Sequence, residues 1–205
     1  MPHDLPPPIL LADHTALDFL NSVGAPNGED IEWLGTGEDL ITWLETTGLI
    51  SADQARSCLR DVQMRDLDAA ARDAVALREW FRDFLADQIH RTTWDFDDAD
   101  VEPVNRILRR GNYVFQLSSG KGDPELKGSA VIEHAGDLLF PIALEIADFL
   151  STAKHQDTHI CAGETCTFWF VDLTKNKKRR WCDMKICGNR AKVTAFRSRR
   201  AGKKS

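Results

Sequence analysis

Four cysteines constrain this chain more tightly than anything else in it. Cys161-x4-Cys166 and Cys182-x4-Cys187 lie within 27 residues near the end of a 205-residue sequence. Two close pairs separated by a fifteen-residue loop are how a chain wraps four thiolates tetrahedrally around one Zn2+. Four intervening residues within each pair allow a tight knuckle whose backbone amides point at the sulfurs. The surrounding residues fit the same plan. Phe168–Val171 is predicted as a strand, Thr174–Lys178 as a polar turn and Arg180–Trp181 as the returning strand. Gly188-Asn189 then opens a helix through Lys192 and Arg200, with Val193 and Phe196 packed inward. Knuckle, hairpin and helix sharing one metal make a treble-clef-like finger.

Disulfides are disfavoured, since nothing directs the chain to an oxidising compartment. An iron–sulfur cluster is the open alternative, although the common ferredoxin spacings use tighter cysteine groups. The expected metal is structural zinc, because four protein ligands leave no position for water or substrate. His159, beside Cys161, is surplus to a complete shell. Cys58 stands alone on a helix and is expected to be a small core residue.

Charge divides the chain at the same place. Residues 151–205 carry fourteen Lys or Arg against four Asp or Glu, a net +10, which leaves −16 on residues 1–150. The overall charge of −6 conceals this asymmetry. A basic end on an acidic body points to a polyanion partner for that end alone. The expected division is therefore an α+β body over 1–153 and a finger with a basic helix over 154–205.

The body reads as helix-rich with few strands. A short strand is expected near Ile9–Leu11, a helix through Leu17–Val23, a Gly- and Pro-rich loop over Gly24–Gly37, and a helix over Glu38–Leu49. Ser51-Ala52-Asp53-Gln54 fits a capping box that opens another helix to Val62. From Asp66 to about Arg91, Leu67, Ala70, Ala74, Leu77, Phe81, Phe84 and Gln88 step by three and four, and all but Gln88 form one apolar stripe. The acidic run Asp95–Asp100 is not a calcium loop. It puts Asp100 where such a loop needs glycine and Arg106 where it needs glutamate. It reads as a solvated linker before a helix over Val101–Arg110. Tyr113–Leu117 and Ser129–Glu133 are predicted strands joined by a turn at Gly120–Pro124, and Pro141 opens a helix carrying Ile142, Ile146, Phe149 and Leu150.

Motifs for metalloprotease, serine-hydrolase and dinucleotide chemistry are absent, and the histidines are scattered, so the chain is not expected to be an enzyme. Asp18 and Asn21 are the candidate ligand-binding pair in the body; the competing reading makes them a helix cap and a buried hydrogen bond. The first residues carry no basic leader, and the longest apolar run, Leu138–Leu144, contains Pro141 and is far short of a bilayer span. The expected setting is the cytoplasm, with no membrane partner.

The run Arg180-Trp181-Cys182-Asp183-Met184-Lys185-Ile186-Cys187-Gly188-Asn189-Arg190-Ala191-Lys192 closely resembles the signature of the CGNR zinc-finger family, whose name is spelled by Cys187-Gly188-Asn189-Arg190. The body is similar to that family's usual partner, the ABATE domain. The opening Leu-Asp-Phe-x-Asn-Thr pattern of that domain stands here as Leu17-Asp18-Phe19-Leu20-Asn21-Ser22, with serine keeping the hydroxyl. The resemblance covers nearly the whole chain. It implies a stress-induced bacterial transcription regulator with a zinc-binding, DNA-binding tail and a body of unassigned ligand.

Arginine suits phosphate and guanine edges through its paired hydrogen bonds. The candidate nucleic-acid residues are Arg179, Arg180, Lys185, Arg190, Lys192, Arg197, Arg199 and Arg200. DNA is the expected partner, with RNA as the other polyanion, a small-molecule effector for the body, and a homodimer as the source of a second half-site. The alternative is a zinc-scaffolded interaction module whose basic tail contacts acidic proteins or its own acidic body.

Overall fold

The computed structural model describes residues 5–25, 29–119 and 123–201, with side chains left aside over 198–201. Its residues fall into two compact units that do not follow the sequence order. One gathers residues up to Glu32, Leu85–Asp95 and everything from Thr152 on; the other holds Trp33–Phe84 and Phe96–Ser151. The leading segment therefore groups with the finger rather than with the rest of the body.

The helical unit is built from α2 (Gly37–Thr46), α3 (Ala52–Asp61), most of α4 (Met64–Gln88), α5 (Glu102–Leu108) and α6 (Leu139–Thr152). The starts of α2 and α3 are chemically marked. Thr36 and Asp39 form a reciprocal capping box on α2, and Ser51 and Gln54 form the expected one on α3. Asp97 accepts from the backbone N–H groups of Ala99 and Asp100, making the acidic run a self-capped turn before α5. The expected stripe on α4 is real: Leu67, Ala70, Ala74, Leu77 and Phe81 are all buried, as are Ile142, Ile146 and Phe149 on α6. Phe81 and Phe149 meet edge to face, with ring centroids 5.9 Å apart. Cys58 is buried, as expected of a core residue.

Two antiparallel strands, β3 (Tyr113–Ser118) and β4 (Glu125–Ala130), form a hairpin in this unit. The second strand begins four residues earlier than expected. Both strands are solvent-exposed over most of their length, so no in/out alternation marks the register. Residues 120–122 of the expected turn at Gly120–Pro124 lie outside the described residues.

The other unit holds α1 (Thr15–Leu20), the two-residue strands β1 (Val23–Gly24) and β2 (Ile31–Glu32), the last turn of α4, then β5 (Thr158–Ile160), β6 (Trp169–Val171) and α7 (Asn189–Ala201). β1 pairs with β2, and β5 pairs with β6, both antiparallel. Ile9–Leu11 is not a strand. The Asp18 carboxylate accepts from Leu11 and Ala12 N–H at 2.9 and 3.0 Å, taking the donors a ladder would need. Gln88, the polar end of the α4 stripe, is buried and exchanges two hydrogen bonds with the backbone of Asp95, at 3.0 and 2.9 Å. Among the described residues, no helix is long and apolar enough to cross a membrane.

Candidate metal centre

The four cysteines converge from two local structures. The β5–β6 hairpin ends in a knuckle carrying Cys161 and Cys166, and Cys161 N–H donates to the Phe168 carbonyl at 2.8 Å. The expected partner of β6, Arg180–Trp181, is not a strand; it contributes one bond, from Ala162 N–H to the Arg180 carbonyl at 2.8 Å. β5 lies before the first cysteine pair and takes that place. Cys182 precedes, and Cys187 sits within, a wide π turn over Met184–Gly188 that leads into α7. Asp183 caps this turn, accepting from Lys185 and Ile186 N–H at 2.6 and 3.1 Å, and so fixes where Cys187 points.

All four sulfurs are buried and lie within 4.8 Å of one another. The Cys166–Cys182 and Cys182–Cys187 sulfurs are each 3.7 Å apart. A tetrahedral ion with Zn–S bonds of about 2.3 Å requires sulfur separations of about 3.8 Å, so these two edges match the length zinc demands. The same distance is far beyond a disulfide bond of about 2.05 Å, and none of the cysteines is bridged. Cys161 Sγ also accepts from Gly163 N–H at 3.4 Å and from Cys182 N–H at 3.3 Å, the amide-to-sulfur geometry expected of a knuckle. A Cβ at Gly163 would stand 3.2 Å from Cys187 Sγ, which explains glycine inside the first pair.

The protonation pattern points the same way. The Cys182 thiol donates toward Cys166 and brings its pKa down to about 5. That donation, together with burial and the neighbouring negative charge, raises Cys182. Burial, followed by the Cys166 charge, pushes Cys187 up to about 12. Cys166 is thus held readily as a thiolate while Cys182 and Cys187 resist ionisation, and a divalent cation removes that resistance. Four protein sulfurs make a closed shell, so this is a structural zinc site. His159 is not part of it; its ring packs near Phe170, with centroids 5.8 Å apart.

The candidate ligand pair, Asp18 and Asn21, is absorbed by the fold. Asn21 is buried, donates from Nδ2 to the Trp169 carbonyl and accepts at Oδ1 from Trp169 N–H, both at 2.8 Å. Its side-chain amide thus acts as a one-residue strand partner for β6. Asp18 caps the leading segment as described. Burial raises its carboxyl to about 6 against the pull of those two N–H donors.

The basic candidates separate as well. Arg179 is not presented to solvent. Its guanidinium lies 4.3 Å from the centroid of Phe170 and donates to the carbonyls of Leu11 at 3.0 Å, Trp181 at 3.0 Å and Val171 at 3.2 Å. It also pairs with Asp13 and donates to the Cys182 carbonyl, tying the leading segment to the metal-binding turn. Arg180, Lys185, Arg190, Lys192 and Arg197 are exposed. Arg180 lies over Trp181 at 5.2 Å, and Arg190 reaches Thr165 Oγ1 at 3.4 Å. The side chains of Arg199 and Arg200 lie outside the described residues. Val193 and Phe196, expected to pack inward, are instead 49% and 54% exposed.

Sequence reasoning missed Asp183, Gly163 and the Arg179 clamp. An N-cap aspartate before a helical turn was a readable signal for Asp183; the clamp left none.

Two family models match the chain. Residues 13–153 match ABATE, described as "Putative stress-induced transcription regulator", and residues 158–200 match the CGNR zinc finger. No curated protein matches the chain.

Proposed function

The chain belongs to the ABATE family and ends in a CGNR zinc finger, and from that premise we propose that it is a DNA-binding transcription regulator. One observation carries the reading: the segment around the sulfur quartet exposes Arg180, Lys185, Arg190, Lys192 and Arg197. Lys177 and Arg179 of the same segment are engaged instead in ion pairs, with Asp157 and Asp13. Four thiolates and one Zn2+ sum to −2, so part of the basic charge offsets the metal site. The surplus remains large enough for a phosphate backbone. The zinc orders the turn from which α7 departs, so the cations on α7 face their partner from a fixed frame.

The test is fluorescence anisotropy of the zinc-loaded full chain on duplex DNA across a salt series. Residues 154–205 alone would lack Asn21, Asp13 and Leu11, which hold β6 and Arg179. Log affinity should fall linearly with log salt, with a slope of about −0.9 per phosphate neutralised. Lys192→Ala and Arg197→Ala should each reduce that slope by about 1 with zinc retained. Absence of binding at low salt removes the reading.

A second reading has its own support. Val193 and Phe196 lie exposed between Lys192 and Arg197, and an apolar pair framed by cations also suits an acidic protein surface. Cross-links from this face to a protein that persist in excess DNA would favour it.

A further inference from the structure

The helical unit contains a cavity of about 550 Å3 that none of the chemistry above uses. Leu77 and Trp80 of α4, Ile107 of α5, and Leu139 and Phe140 at the start of α6 form its apolar walls. The volume lies inside the range of small-molecule sites, about 300–1,000 Å3. Its mouth is basic. Arg106 and Arg110 line it from α5 and the residues just after, are both exposed, and make no ion pair among the described residues.

Two carboxylates share the lining, and one of them is already engaged. Asp137 Oδ2 accepts from the N–H groups of Glu133 and His134 at 3.0 and 2.8 Å, which holds the turn before α6. Asp137 keeps its charge while accepting these bonds, so the lining is formally neutral, and the place for an anion is local, beside the neighbouring guanidiniums of Arg106 and Arg110. Gly111 keeps the wall in place. A Cβ there would sit 1.8 Å from a Phe140 ring carbon and force that ring out of position.

We propose that this cavity binds an organic anion with a flat apolar body, of the aryl-carboxylate class. The ring system lies against Trp80 and Phe140, where offset or edge contacts between aromatic rings are favourable. The carboxylate meets Arg110, with Arg106 beside it, in the forked geometry guanidinium offers. The site is separate from Asp18 and Asn21, and it does not depend on nucleic-acid binding.

Isothermal titration of the zinc-loaded full chain, without DNA, decides the matter. The probes are 2-naphthoate, its neutral counterpart 2-naphthamide, and inorganic phosphate. The expected result is saturable binding of naphthoate, at least about tenfold weaker binding of the amide, and none of phosphate. Arg110→Gln should weaken naphthoate about tenfold, equivalent to ~1.4 kcal/mol, and leave the amide unchanged. Ala76→Trp, at an exposed lining position, should abolish binding of both. Arg110→Gln changes a solvent-facing side chain and decides alone should the tryptophan disturb the fold. No naphthoate binding at millimolar concentration, unchanged affinity in Arg110→Gln, or unchanged binding in a folded Ala76→Trp would overturn the proposal. Each of these outcomes leaves the DNA reading standing.

Discussion

The two compact units are held together by different physics. Residues 33–84 and 96–151 are cemented by apolar side chains on capped helices, with Phe81, Phe149 and Ile146 at most 0% exposed. The unit containing the cysteines draws on three separate stretches of chain and adds polar fixtures to buried apolar side chains of its own, Leu17, Phe19, Phe168 and Phe170 among them. The fixtures are the sulfur quartet, the Asn21 amide on Trp169, the Arg179 fork and the His155 ring at 2.5 Å from the Gln88 carbonyl. Apolar burial is diffuse and degrades gradually as side chains shrink. A unit that depends in addition on one ion and a few buried hydrogen bonds is vulnerable at single points, because each orphaned partner bears a full desolvation penalty.

That contrast can be broken at either end. Chelating the metal, or Cys182→Ser, should unfold the cysteine-bearing unit outright. Structural zinc contributes on the order of 10 kcal/mol in small fingers. Circular dichroism should retain most of the helix signal, carried by α2–α6, while amide-exchange protection is lost at β5, β6 and the start of α7. Phe149→Ala makes the complementary cut. It should cost about 3–5 kcal/mol in the helical unit, seen as a lowered first melting transition, with one zinc still bound per chain. A variant that lost both together would mean that the units do not differ as described.

Smaller cuts sharpen the comparison. Asn21→Ala strands the N–H and C=O of Trp169 and should cost about 2–4 kcal/mol, measured as a raised midpoint sensitivity of the cysteine-bearing unit to denaturant. Asn21→Asp should not rescue it, since a carboxylate cannot donate to the carbonyl. Asp18 gives the least effect and a pH signature. With its carboxyl raised to about 6 in the fold, the folded state holds more protons than the unfolded chain between about pH 4 and 6, so stability falls as pH rises through that window. Partial exposure limits the loss to about 1–2 kcal/mol. Asp18→Asn keeps the oxygen acceptor for Leu11 and Ala12, removes the charge, and should flatten that slope in pH-resolved denaturant titrations.

The metal site was legible in the sequence because metal-ligand chemistry dictates cysteine spacing directly. The α4 stripe and the Ser51 capping box were legible for a related reason: both are local patterns with a fixed period or offset. What escaped is non-local. Asn21 and Trp169 are 148 positions apart, and no local rule distinguishes an asparagine that binds a ligand from one that completes a strand. Arg179 and Arg180 look alike as neighbouring charges, yet one donates to carbonyls of Leu11, Val171 and Trp181 and the other faces solvent. Val193 and Phe196 were read as inward-facing because helical spacing identifies a face without saying whether anything covers it. The hairpin register slipped for want of alternation, since both faces of β3 and β4 meet water.

X-ray absorption at the zinc edge of freshly purified, fully reduced protein probes the sulfur quartet most directly. It should show one zinc per chain with four sulfur neighbours at about 2.3 Å and no nitrogen or oxygen in the shell. A shell containing a histidine nitrogen or water, or protein that folds fully with its thiols free of metal, would contradict it.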